Sequence, residues 1–498
     1  MRLSLPERIP INWVIALAAI IAAIQVYQRT DYRVAGMLFL FEVVWAINFN
    51  FAGGFTTAVG AYVFWYGLLT LILGSIVKMV IHDPVDMNAL APLPTVDVYV
   101  ASMVVMTPVI LVARKITGGR PGLAERLSGN TLNLRNAAIG SLAIGLLPIL
   151  LYPVLPLKFL TAFNQINHFA FFAIILGTVD VIRSSGGRSA FSWVNVAAIL
   201  SIFFLGVVGF SKEAMFTPLV LWLITCIYCG FRFRLPYLVG VALVAYFCIH
   251  VLVPVSQIGR FDPVAQYGTM GTRFRVATSM MLDPGKVRAE YLENSALDHE
   301  TGSDFYSRDV GFAARLTRWT SDDPLIAYTL QGHVIGLGYL EYQIVNWVPH
   351  IFFPNKEKYE PDGGGNFYAH ELGILSADDT TTGVSFGPAA EAFHLGGWTG
   401  VVVAMPLCWL PFFVSIYWLG GDLRKSPWGI FYVVYFAHMA PEGGIGAVVS
   451  AIWYVNLGFV LGMFFGTYIA PLIGSFLASG KLTAPLAPQP RLIATSPL

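Results

Sequence analysis

The chain has 498 residues, 56% of them hydrophobic and only 12% charged, with a formal net charge of +1. A soluble domain carries about 25% charged residues, so half that share excludes an ordinary water-soluble enzyme and points to lipid. Runs of about 20 apolar residues can cross a bilayer as helices. In hydrocarbon every backbone polar group needs an internal partner, which makes helices the default. Long uninterrupted apolar runs also argue against a β-barrel, whose strands alternate over about ten residues.

In chain order, about twelve spans are predicted, over 10–27, 34–50, 58–80, 97–113, 137–156, 165–182, 191–209, 214–230, 236–253, 399–419, 428–440 and 446–470. The expected fold is an all-α polytopic membrane protein. It divides into an N-terminal bundle of about nine helices (1–253), a large outer, periplasmic loop domain with short amphipathic helices (254–398), C-terminal helices (399–478) and a cytoplasmic tail (479–498). Arg2 and Arg8 precede the first run and no small-residue cleavage site follows it, so it reads as a retained helix. The loop 114–135 carries Arg114, Lys115, Arg120, Arg126 and Arg135. Arg183 with Arg188, Arg232 with Arg234, and Arg424 with Lys425 fall on the same side, which is therefore expected to be cytoplasmic together with both termini. Arg29 and Arg33 fall on the opposite side. "CIYC" at 226–229 has redox spacing but lies in an apolar run, so packing is expected, and Cys248 and Cys408 add no disulfide framework.

The turn "GFSKEAMF" (209–216) offers Ser211 as a helix cap and Glu213 to the first turn. Lys212 beside unpaired N–H groups makes an anion site, against the plainer reading of a lysine reaching for headgroups. Arg260 follows the ninth span directly and is expected at the outer headgroup level. The break at 254–398 holds 10 of the 30 Lys and Arg but 18 of the 29 Asp and Glu, so it reads as a hydrated domain. Segments 309–319 and 325–349 have helical apolar spacing and many aromatics, as helices at the outer interface would. Arg315 and Arg318 share a face there, and guanidinium forks match phosphate oxygens. Charge balance against Asp309 and Asp322 explains them equally simply.

In "WVPHIFFPNKEKYEPDGGGNFYAHELG" (347–373), Pro349, Pro354 and Pro361 force an extended path that presents His350 and Lys356. His370 and Glu371 suit acid–base work or a solvated turn. His350, His370, Glu371, Asp378, Asp379 and His394 lack tight metal-ligand spacing, so neither metal nor other cofactor is expected. Glu391 and Glu442 lie close to the ends of apolar runs, where acids are costly and often functional.

"GFSKE", the arginine of "IGRFD" and "VPHIFFPNKEKYEP…DDTTTGVSFGPAAEAFHLGGWTGV" together make the chain resemble the bacterial oligosaccharide repeat-unit polymerases of the O-antigen polymerase (Wzy-type) family. The resemblance is specific over 209–213, 260 and 347–400. Where the family has a proline–arginine pair, this chain has Pro349-His350. The resemblance implies a glycosyltransferase in the bacterial inner membrane that polymerises polyprenyl-pyrophosphate-linked glycans. Its candidate partners are a chain-length regulator and a flippase, and no nucleic acid is implied. Lys212, Arg260, Arg315 and Lys356 are the candidate pyrophosphate ligands. Glu391, His370 and His350 are the candidate bases for inverting transfer without a metal. The rival readings are an O-antigen ligase, a polysaccharide or lipid transporter with Glu42, Asn48 and Asp180 as pathway residues, and a non-catalytic assembly subunit.

Overall fold

The computed structural model describes residues 2–128, 133–151, 167–266, 268–300, 305–307, 310, 317–341, 345, 367–375 and 383–479. Among these the chain is all-α, and the one β feature is an isolated bridge between Arg2 and Arg232. Among the described residues six helices are long and apolar enough to cross a membrane: Tyr32–Thr56, Ala58–Ile81, Pro92–Thr117, Leu235–Phe261, Pro388–Gly420 and Gly444–Ser479. This corrects the expected count of about twelve. The difference lies in helix length. Ile11–Tyr27 has 17 residues, Phe169–Ser184 and Trp193–Val208 have 16 each, and Ile430–Glu442 has 13. At 1.5 Å per residue, 17 residues reach about 25 Å, short of the roughly 30 Å hydrocarbon core. Apolar composition alone had counted such segments as spans. The tail 480–498 lies outside the described residues.

Three of the long helices absorb a proline through a π-helical turn. Cys248–Leu252 precedes Pro254, Gly400–Ala404 precedes Pro406, and Phe465–Ile469 precedes Pro471. A proline lacks the N–H of the ladder and its ring crowds the carbonyl four residues back; a wider turn just upstream relieves both problems.

An aromatic core ties the helices together. The Tyr62 ring meets Trp409, Phe412, Phe413 and Phe436 edge-on at centroid distances of 5.3–6.4 Å. Trp409 Nε1 donates to the Tyr62 hydroxyl at 3.0 Å, so the indole N–H is not stranded in the apolar interior. The helix Trp319–Leu330 comes from the segment whose charge read as hydrated, yet Trp319, Leu325 and Ile326 are buried in the same core. It packs against Pro92–Thr117 and Pro388–Thr399.

The ends of Tyr32–Thr56 and Pro92–Thr117 meet where Arg114 donates to the Phe51 carbonyl, in a basic cluster, and their other ends lie among groups of different chemistry. At the basic end Arg424 pairs with Glu7 and with Asp422, Lys425 lies 3.7 Å from Glu125, and Tyr228 donates to the Phe55 carbonyl. At the opposite end, Asp86 accepts from the Asp31 backbone at 2.8 Å, between Arg29 and Arg33 in sequence. There too the buried Lys78 donates to the carbonyls of Pro84 and Met87, at 3.0 Å each, and lies over the Phe305 ring.

The helix Leu134–Leu151 and the last ten residues of Gly444–Ser479 approach through glycines. A Cβ on Gly140 would come within 1.9 Å of the Ala470 carbonyl oxygen, and one on Gly474 within 2.0 Å of the Asn136 carbonyl oxygen. Small residues let helices in lipid approach this closely. Gly140→Val is expected to lower stability by about 1–3 kcal/mol, the usual penalty for overpacking. Thermal unfolding of the detergent-purified chain, followed by size-exclusion fluorescence, checks this. An unchanged midpoint would mean that the two helices do not pack this closely.

Candidate functional site

The polar groups at the end opposite the basic cluster form two layers, one buried and one open. The buried layer consists of carboxylates aimed at helix N-termini. Asp323 accepts from the N–H groups of Leu90 (2.5 Å) and Ala91 (3.0 Å) and from the Thr95 hydroxyl (2.8 Å), at the start of Pro92–Thr117. Asp322 accepts from Gly387 N–H at 2.7 Å, at the start of Pro388–Gly420, and from the Tyr99 hydroxyl at 2.9 Å. Glu391 accepts from Ile445 N–H, at the start of Gly444–Ser479, and from the Tyr368 hydroxyl at 3.2 Å. Helix N-termini present unpaired N–H groups and a positive dipole end, so each acid meets the group that best compensates its burial. Burial still dominates at Asp322: it pushes the carboxyl up from 3.8 to about 6, against the opposing hydrogen bonds from Gly387 and Tyr99 and the charge of Arg318.

The open layer is a chain of charged side chains. Glu213, beside Lys212, lies 3.6 Å from His438 Nε2. His438 Nδ1 lies 3.0 Å from Glu442 Oε2, and Glu442 Oε1 lies 3.1 Å from Arg318. The other Arg318 arm donates to Ser385 at 3.3 Å. The Glu442 hydrogen bond raises His438 above its ordinary range. For Glu442, burial pushes up, but the hydrogen bond from His438 and the charge of Arg318 outweigh it and hold the carboxyl low.

Of the residues singled out from sequence, Lys212 and Arg260 come to one turn. Lys212 opens the helix Lys212–Tyr228, whose cap Ser211 accepts from Ala214 N–H. The Phe210 carbonyl, two residues before Lys212, accepts from Ser256 at 2.6 Å and from Arg260 at 3.5 Å. Phe210 holds a left-handed conformation, φ +50°, which turns the chain sharply between the two helices. Glu391 belongs to the buried layer. His370 lies on the short helix Phe367–Glu371, its Nδ1 buried without a hydrogen-bond partner among the described residues. Its neighbour Glu371 lies 3.6 Å from the Nε2 of buried His394, whose Nδ1 meets Thr329 at 2.9 Å. Arg315, His350 and Lys356 lie outside the described residues. Among the described residues no group of three or more His, Cys, Asp or Glu is placed to hold a metal ion.

Sequence reading missed His438, Tyr99 and Tyr368, and took Asp322 only as a counter-charge. The one signal for His438 was its i, i+4 spacing to Glu442 in "HMAPE".

The shift of Asp322 sets the sign of a pH effect. Its folded value lies above the unfolded one, so between pH 4 and 6 the folded state holds the extra proton and stability falls as pH rises. A separation from 3.8 to about 6 is worth about 3 kcal/mol across that window. Asp322→Asn is expected to flatten this dependence in thermal unfolding of the detergent-purified chain between pH 4 and 7. An unchanged slope would mean that Asp322 does not titrate there.

Compared with known proteins, the chain matches no family model, no curated protein and no solved structure.

Proposed function

We propose that the chain is a membrane glycosyltransferase that polymerises polyprenyl-pyrophosphate-linked oligosaccharide repeat units into a surface polysaccharide, at the outer face of a bacterial inner membrane. The observation that carries this reading is the reach of Arg260 to the Phe210 carbonyl, two residues before Lys212, and the run of charged side chains from the neighbouring Glu213 through His438 and Glu442 to Arg318. A lipid-linked pyrophosphate enters from the bilayer edge and needs cations at the headgroup level. Lys212 and Arg260 are both half-buried and lie at the ends of apolar helices, as this requires.

The orientation follows from the basic end, with Arg114, Arg120, Arg126, Arg424 and Lys425, which the positive-inside rule assigns to the cytoplasm together with both termini. The Lys212 end then faces outward, where finished repeat units are joined. In the reaction the acceptor sugar hydroxyl attacks the anomeric carbon of the donor glycan, and polyprenyl pyrophosphate leaves. Lys212 and Arg260 stabilise the charge that grows on the leaving oxygens, and Arg318 and Glu442 fix the wall of the site.

Deleting the gene is expected to leave lipid-linked single repeat units to accumulate, and the intact chain supplied in trans restores long polymer. Loss of one charge-stabilising group lowers rates by about 10²–10³, so Lys212→Ala and Arg260→Ala are each expected to shorten the glycan distribution sharply at normal membrane levels. Gel analysis of extracted lipid-linked glycans reads both. Accumulation of finished long chains instead would mark a ligase. Unchanged length and amount in both variants would overturn the assignment.

A further inference from the structure

The two ring nitrogens of His438 have different surroundings. Nδ1 lies 3.0 Å from Glu442 Oε2. An ionised carboxylate only accepts, so Nδ1 carries the hydrogen and donates it. The lone pair of the neutral ring is therefore on Nε2. That nitrogen faces Glu213 at 3.6 Å, beyond hydrogen-bond length. The ring is open, with 53% of the His438 side chain exposed, while the groups behind it are enclosed: Glu442 is 25% exposed and Arg318 13%.

Glu442 cannot swing away freely. Its Oε1 pairs with Arg318 at 3.1 Å, and its Oε2 also takes the Ser385 hydroxyl at 3.4 Å. A fixed carboxylate that holds Nδ1–H sets the tautomer, orients the ring and stabilises the imidazolium formed when Nε2 takes a proton. The charged groups facing the ring are Glu442 on its own helix, Glu213 on the helix Lys212–Tyr228, and Arg318 at the start of Trp319–Leu330.

Resting on the glycan-polymerase reading above, we infer that His438 is the general base that deprotonates the acceptor sugar hydroxyl, and that Glu442 is the residue that positions it. Glu391 is engaged at the start of Gly444–Ser479 through Ile445 N–H and lies 4% exposed, whereas His438 is open to a substrate and belongs to the same charged chain as Glu213 and Arg318. In the transfer, His438 Nε2 accepts the hydroxyl proton while the hydroxyl oxygen forms its bond to the anomeric carbon. The bond from that carbon to the pyrophosphate oxygen breaks, and its electron pair leaves with polyprenyl pyrophosphate beside Lys212 and Arg260. The imidazolium then returns its proton to water. The acceptor hydroxyl approaches Nε2 from the open side of the ring, beside Glu213, whose carboxylate accepts from the other hydroxyls of the sugar.

The test uses the full chain in membrane vesicles, supplied with lipid-linked repeat units extracted from source cells lacking the gene. Chain extension is followed against pH. A base works only as neutral imidazole, so the rate is expected to rise with pH through a titration above the ordinary histidine range. His438→Gln is expected to lower the rate by about 10²–10⁴, the usual contribution of a general base, and to flatten the profile. Glu442→Gln removes the group that raises the titration, so its midpoint moves to lower pH, a change that a purely structural contact would not produce. A wild-type rate that falls as pH rises would make His438 a cationic clamp on the pyrophosphate and overturn the base role. His438→Gln within threefold of wild type would also overturn it and leave the polymerase reading standing. No extension by the intact chain would sink the polymerase reading and the base role together.

Discussion

A helix that starts in an apolar medium has N–H groups with nowhere to go, and this chain answers the problem with buried carboxylates. Asp323, Asp322 and Glu391 each accept from backbone N–H groups at the start of a different long helix. Removing an acceptor from a buried donor costs about 1–3 kcal/mol, and more for charged groups. All three contacts also cross between distant parts of the chain, so they fix how helices sit beside one another as well as how each begins. Two of the acids are neighbours on Trp319–Leu330, which makes this short helix the element from which the starts of Pro92–Thr117 and Pro388–Gly420 are set.

The open layer depends on that arrangement. Arg318 immediately precedes Trp319–Leu330, and its place next to Glu442 follows from where Asp322 and Asp323 anchor the helix. Ser385, which Arg318 also reaches, lies two residues before Gly387, the donor to Asp322. Arg318, Ser385 and Glu442 are therefore held by the same contacts that cap the buried helices. The wall of the proposed site is stiff for structural reasons, and the exposed His438 and Glu213 on it can meet a substrate without disturbing it.

Much of the fold was legible in the sequence because long apolar runs are unambiguous. The segment at Ala58–Ile81 appeared nearly at its observed limits, and the span expected over 97–113 falls inside the longer Pro92–Thr117. The count was too high because apolar composition does not measure helix length, and Ile430–Glu442 reads as apolar although its helix has only 13 residues. Lys212 and Arg260 were legible as cations at helix ends, since sequence position alone places them there. The role of Asp322 and Asp323 was not. Both sit in a segment full of acids, and their partners lie far away along the chain, Tyr99 223 positions from Asp322 and Ala91 232 positions from Asp323. His438 was hidden for the complementary reason: beyond its i, i+4 spacing to Glu442, nothing in the sequence shows that Glu213 is brought against it.

The separation between Ala91 and Asp323 also has a meaning in time. Chains grow at about 5–20 residues per second, so the acceptor for the start of Pro92–Thr117 is made on the order of 10–50 s after the N–H groups that need it. During that interval the helix start must rely on water or lipid headgroups at the membrane surface. The same holds at the other end of the contact, where Trp319 and Ile326 wait for helices already in place to admit them. The starts of Pro92–Thr117 and Pro388–Gly420 thus gain their native acceptors only once Trp319–Leu330 has been made and docked.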